Sequence, residues 1–298
     1  MKLNSLTELL EVTKQRPQAM RALMAGGADF TSLFNAASAA LLPGQLATTN
    51  AVNDIGSLLA TAPTSKTNAL SATGRNMALF DPESAYAMMT SINNKEVVYK
   101  AQSASLQDMR TSLTGMTALG RTLADLPPTA SPAELRSAMQ NFADRYNSWR
   151  QEFDGAAQSG GLLADTRAAK VARYELDQSV RNMFLGADEG FRGLKDLGFD
   201  MSAATHRVTF NSVRFDAAMA ANPQGVATTL REFGTNFSTS AKLLASEGNF
   251  ITNQLKNLDR VMSYIGENRS ALEQEFGTGD PAKPNRQVAA VLTRGGGV

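Results

Sequence analysis

The 298-residue chain contains no cysteine and a single histidine, His206. The first absence excludes a disulfide framework, a thiolate metal site and a cysteine nucleophile. The second excludes a metal site built on several histidines, and any Ser-His-Asp triad would have to use His206. An excess of either charge is also missing: 29 Lys and Arg face 28 Asp and Glu, for a net charge of +1. No global electrostatic footprint for nucleic acid or an anionic membrane is present. No apolar run approaches the ~18 residues that a membrane-spanning helix needs. The first 21 residues, with Glu8, Glu11, Lys14, Arg16 and Arg21, lack the layout of a cleavable secretory signal. The bare expectation is a cytoplasmic protein, unless an export route that leaves no cleavable signal is used.

What is present is helical patterning. Residues 1–80 are poor in apolar periodicity and read as a loosely ordered arm. Asp81-Pro82-Glu83 is a helix start, with a capping carboxylate, a proline in the first turn and an acid toward the positive end of the dipole. Leu106, Met109, Leu113, Met116 and Leu123 then keep a 3–4 spacing with Gly120 in the vacant position, and Pro127-Pro128 stops the helix. Ser131-Pro132-Ala133-Glu134 is a capping box ahead of an aromatic-rich stripe, Leu135, Met139, Phe142, Tyr146, Trp149 and Phe153, which reads as core. A further helix is expected over 162–184, with Ala172, Leu176, Val180 and Met183 inward. Val208 and Phe210 alternate with polar residues, and His206 is expected in that strand or hairpin. Asn222-Pro223 divides two more helices, the second short and closed by Gly234.

The last long element carries the clearest pattern. Ile251, Leu255, Leu258, Met262, Ile265, Leu272 and Phe276 alternate 4 and 3 apart, with Arg269 at the one skipped position. That is a heptad seam, expected as one coiled-coil-like helix. These eight residues are the candidate self-assembly site. Arg269 either sets register between copies or snorkels to the edge of an intramolecular bundle. The same stripe serves a seam closed within one chain or between chains. Residues 277–298, with two prolines and several glycines, read as a disordered tail.

The sequence offers no chemistry. It holds no Gly-x-Gly-x-x-Gly after a strand, no P-loop, no His-Glu-x-x-His and no Gly-x-Ser-x-Gly. Gly186 to Gly193 reads as a turn, and Asp188 and Glu189 are adjacent carboxylates without the separated environments of an acid/base pair. Arg167, Lys170, Arg173 and Arg181 are interleaved with Asp165, Glu175 and Asp177 and read as a mixed, solvated helix face. No catalytic residue, cofactor or metal is expected, and no nucleic-acid, membrane or small-molecule partner. The fold class is mainly α: an elongated helical bundle or coiled-coil stem over 81–276 with one small β element near 205–211.

Five segments, in order, carry a resemblance. Phe142-Ala-Asp-Arg-Tyr146-Asn147, Gly161-Leu-Leu-Ala-Asp165 and Leu197-Gly198-Phe199 with Val208-Thr-Phe-Asn211 are followed by Ala221-Asn222-Pro223-Gln-Gly-Val226 with Leu230 and Phe233-Gly234, then by the helix ending Leu272-Glu-Gln-Glu-Phe276. Together they resemble the stem of the flagellar filament cap proteins, also called hook-associated protein 2. The outer β-rich domains of that family have no counterpart, since Pro127-Pro128 leads straight to Ser131. The resemblance implies an extracellular, structural axial component of the bacterial flagellum, exported without a cleavable signal. Its implied partners are copies of itself and flagellin or hook-associated subunits. The alternative is a cytoplasmic helical adaptor, or chaperone-like regulator of that export system, which binds a partner helix beside the seam.

Overall fold

The longest element follows directly from its ends. Asp81 accepts a hydrogen bond from the backbone N–H of Ser84 (3.0 Å), and Pro82 opens helix α1, Pro82–Ala124. At 43 residues α1 is about 65 Å long and serves as the axis on which other helices pack. The chain was analysed as a computed structural model that describes residues 70–182 and 190–295. These belong to one compact unit, Thr67–Val298. The expected arm up to residue 69, and Met183, Phe184, Gly186, Asp188 and Glu189, lie outside the described residues.

The described residues are mainly α with one small β element. Helix α2, Pro132–Ala157, opens with the reciprocal capping box: the Ser131 hydroxyl accepts the Glu134 N–H and Glu134 accepts the Ser131 N–H. These bonds hold the Glu134 carboxyl below its usual range. The remaining elements are α3 (Arg167–Arg181), β1 (Phe199–Met201), β2 (Val208–Phe210), α4 (Ser212–Ala221), α5 (Pro223–Ala245), α6 (Phe250–Glu267), α7 (Arg269–Phe276) and α8 (Arg286–Gly295). Strands β1 and β2 pair antiparallel, Phe199 opposite Phe210 and Met201 opposite Val208.

The whole α2 stripe, Leu135 to Phe153, is buried. Phe142 is its centre, with ring centroids 5.0 Å from both Phe233 and Phe237 of α5 and 6.0 Å from Phe199 of β1. Edge-to-face pairs of this kind add about 0.5–1.5 kcal/mol each beyond the area they bury. Asn147 docks the hairpin on α2 by a two-way bond with Val208: its side-chain amide donates to the Val208 carbonyl (2.8 Å) and accepts the Val208 N–H (2.9 Å).

Four expectations need correction. Gly234 does not close a short helix; α5 continues to Ala245, and Phe237, Ala241 and Leu244 extend its buried face. Gly234 and Gly120 instead let α5 and α1 cross backbone to backbone. A Cβ at Gly120 would lie 2.7 Å from the Ser238 N and 2.9 Å from the Gly234 O, while one at Gly234 would overlap the Ala124 N. The expected helix over 162–184 begins only at Arg167, because residues 158–165 form turns in which the Leu163 N–H bonds the Ala156 carbonyl. The end of the chain is not a disordered tail up to residue 295. Residues 277–285 run extended along α1 and α8 follows, with Val288 buried. Residues 70–76 are ordered too: a turn closed by a Leu70–Asn76 bridge places the Asn76 amide on the carbonyls of Gln274 (2.8 Å) and Glu275 (3.1 Å), the last turn of α7. Side-chain-to-backbone bonds hold both segments, and such bonds leave no apolar period in a sequence.

The crossing predicts a reversal of sign. Gly→Ala inside a helix ordinarily stabilises by about 0.5–1 kcal/mol. Gly115→Ala, in the same helix and with nothing near its Cβ position, should gain that amount. Gly120→Ala should instead lose roughly 1–3 kcal/mol by overpacking. Urea midpoints followed by helicity decide it; a rise for both variants would remove the close crossing.

Candidate functional site

The seam residues form one face of α6 and α7. Asn249 caps α6 and its side chain accepts the Phe250 N–H (2.6 Å). Ile251, Leu258, Ile265, Leu272 and Phe276 are buried within the single chain, and Leu255, Met262 and Arg269 are half-buried. The seam is not one continuous helix. Asn268 breaks it at φ −101°, ψ 5°, its amide group bonding the Tyr264 carbonyl (2.9 Å), and α7 starts at the next residue. The face is covered chiefly by α1, which packs along both α6 and α7.

Arg269 explains why a cation occupies the skipped position. Its guanidinium donates to the Asn93 Oδ1 (3.0 Å) and pairs with Glu96, both on α1. Glu96 also holds Lys100 (2.7 Å). The cation therefore sits at the edge of an intramolecular bundle, its stem on apolar surface and its head in an ion-pair cluster. Of the two roles open from the sequence, the geometry has this one.

A second constellation escaped the sequence reading. Asp177 of α3, read as part of a solvated face, is buried. Its carboxylate accepts from the Tyr146 hydroxyl and from Arg150 (3.2 Å), and lies 2.8 Å from the His206 Nδ1. Arg150, 2 % exposed, also pairs with Asp154 (2.9 Å), which in turn holds Arg173 (2.9 Å). Burial first, and then the bond to Asp177, drives the Tyr146 hydroxyl far above its usual range, so it stays protonated as a donor. His206 is not in a strand. It sits in the turn between β1 and β2 with φ +54°, a left-handed backbone that few non-glycine residues adopt. The usable signal was the width of the α3 stripe: Asp177 adjoins Ala169, Leu176 and Val180 on its inner side.

Chemically, this cluster is a tie between α2, α3 and the hairpin. It joins a histidine to a buried carboxylate that also holds a tyrosine hydroxyl and an arginine. A surface cleft of about 390 Å³ lies nearby, lined by Arg181, Arg192, Lys195, Asp196 and Asp200 among others. Two of its acids are already engaged: Asp196 accepts the Arg192 N–H (2.8 Å) and Asp200 pairs with Arg214 (2.7 Å). Among the described residues, no group of three or more His, Asp or Glu side chains is placed to hold a metal ion, and no helix is long and apolar enough to cross a membrane.

Exposed large apolar side chains are scattered over the described residues, Tyr174 on α3 and Val213 in the first turn of α4 among them. Phe80, 95 % exposed, stands with Met77 just ahead of α1. Leu243 and Phe250 flank the α5–α6 turn, where the Arg167 guanidinium lies 4.7 Å from the Phe250 ring centroid. No protein-family model matches the chain, and neither a curated protein nor a solved structure matches it.

Proposed function

We propose that the chain is a structural component of a bacterial flagellum, cap-like or hook-associated, which assembles with copies of itself and with flagellin or hook-associated subunits. The observation that carries the reading is that the segments bearing the resemblance fold against one another. Phe142 packs on Phe199 and Phe233, Asn147 holds Val208, and Asn222 caps α5 through the Gly225 N–H (2.9 Å). Residues scattered from position 142 to position 233 thus belong to one packed unit, as a shared stem architecture requires. The long axis helix α1 suits a load-bearing part.

Because the apolar seam is spent inside the chain, assembly on this reading uses exposed faces. On this reading the protein acts outside the cell. The test is to fractionate the native host into cells, medium and sheared filaments, and to delete the gene. The protein is expected in the filament fraction, with filaments short or absent in the deletion strain. A protein found only inside cells, with filaments of normal length after deletion, overturns the reading.

A further inference from the structure

Residues 277–295 are held on α1 as a bound peptide is held. Gly277 (φ +89°) and Gly279 (φ +64°) turn the chain out of α7 and bring its backbone against Gly74 and against Met89 and Thr90, leaving no room for a side chain at either position. From there the bonds run outward to other elements. The Thr278 N–H donates to the Gly74 carbonyl (2.8 Å), and the Asn93 amide donates to the carbonyls of Thr278 (3.1 Å) and Asp280 (2.9 Å). The Asp280 N–H donates to the Thr90 hydroxyl (2.8 Å), the Tyr86 hydroxyl to the Asp280 carboxylate (2.9 Å), and the Lys283 N–H to the Asn94 side chain (3.0 Å). Tyr86, Thr90, Asn93 and Asn94 share one face of α1, so this face reads the strap's backbone and one of its carboxylates. Pro281 and Pro284 keep that backbone from joining a helix. Beyond it, α8 inserts one fully buried apolar anchor, Val288.

We propose that this strap exchanges between copies: the strap of one molecule occupies the α1 face of another. The inference is independent of the flagellar reading. The site recognises the strap's backbone and Val288, and both are the same whichever copy supplies them. Val288 is the one fully buried side chain of the strap, with Ala289, Val291 and Leu292 half-buried beside it, and on this proposal the strap opens as a unit of its own while the rest of the bundle stays folded. The tether between α7 and α8 gives the strap's own site an effective concentration on the order of millimolar. Closed monomers therefore dominate in dilute solution, and exchange takes over where copies are crowded together, as in an assembly. Reciprocal exchange closes a dimer, and head-to-tail exchange extends a row.

The test uses the full chain and its freedom from cysteine. Ser91→Cys, one helical turn from Asn94, and Lys283→Cys are both at exposed positions and remove none of the strap's bonds, so each variant should keep its fold. Equal amounts of the two single variants are mixed and treated with a short bismaleimide. Mixed dimers should rise at least ~10-fold in yield between micromolar and near-millimolar protein. No more dimer than either variant gives alone at the same concentration overturns the exchange. Hydrogen exchange supplies the second readout: the amides of Asp280 and Lys283 should exchange at least ~100-fold faster than that of Met109 in α1. Equal protection at these positions means that the strap cannot leave alone, and overturns it as well.

Discussion

Leu258→Glu should unfold the chain rather than dissolve an assembly. Leu258 is fully buried at the middle of the α6 face that α1 covers. Glutamate there loses the buried leucine, about 1.5–3 kcal/mol, and must also desolvate a carboxyl without a partner. The sum, on the order of 4 kcal/mol or more, is a large share of the ~5–15 kcal/mol that holds a domain together. The expected result is a collapse of the melting temperature and of far-UV helicity, in dilute protein as in concentrated. Ser263→Glu, on the exposed side of the same helix, should change stability by no more than ~0.5 kcal/mol. A Leu258→Glu variant that keeps full helicity and melts normally would show that the seam is not closed within the chain.

Asp177→Ala should be the most damaging polar substitution. It leaves the Tyr146 hydroxyl without its acceptor, removes one of the two carboxylates that neutralise buried Arg150, and releases His206. Breaking a buried ion pair from one side costs about 3–5 kcal/mol, because a charge remains in the interior without compensation. Asp177→Asn keeps an acceptor for Tyr146 and should lose less. His206→Gly should be close to neutral. It gives up a pair that is 41 % exposed on the histidine side, and surface pairs contribute at most ~1 kcal/mol. In exchange it relieves a left-handed backbone that strains non-glycine residues by about 1–2 kcal/mol. Chemical denaturation of the three variants orders them. If Asp177→Ala proves no worse than His206→Gly, the cluster is not a structural tie.

Much of the helical framework was legible because local and long-range signals agree in it. The capping box at Ser131, the prolines at 82, 132 and 223, and the stripe from Leu135 to Phe153 each mark the element that forms. The seam was legible as a buried face, but its break was not. The heptad pattern runs straight through Asn268, where α6 ends and α7 begins, and the partner of Arg269, Glu96, is far away in sequence. Gly234 was misread because glycine ends helices locally, whereas here the demand for it comes from Gly120 on another helix. Asp177 was hidden by its neighbours: Arg173 and Arg181 on the same helix make a solvated face plausible, and the deciding contacts come from α2. The strap left little trace, since Thr90, Asn93 and Asn94 bond its backbone, which every sequence possesses, and only Tyr86 bonds one of its side chains, the Asp280 carboxylate.

The clasp between residues 70–76 and the end of α7 has a mechanical consequence. Both the entry to the unit and the start of the strap meet at one place, joined by the Asn76 amide on two carbonyls and by the Thr278 N–H on Gly74. Tension applied between residues 70 and 280 is therefore borne first by these few bonds. The bonds of Asp280 to Tyr86, Thr90 and Asn93 share that load, so tension at these two points is met by polar bonds at one end of α1 rather than by the apolar contacts between α1 and α5.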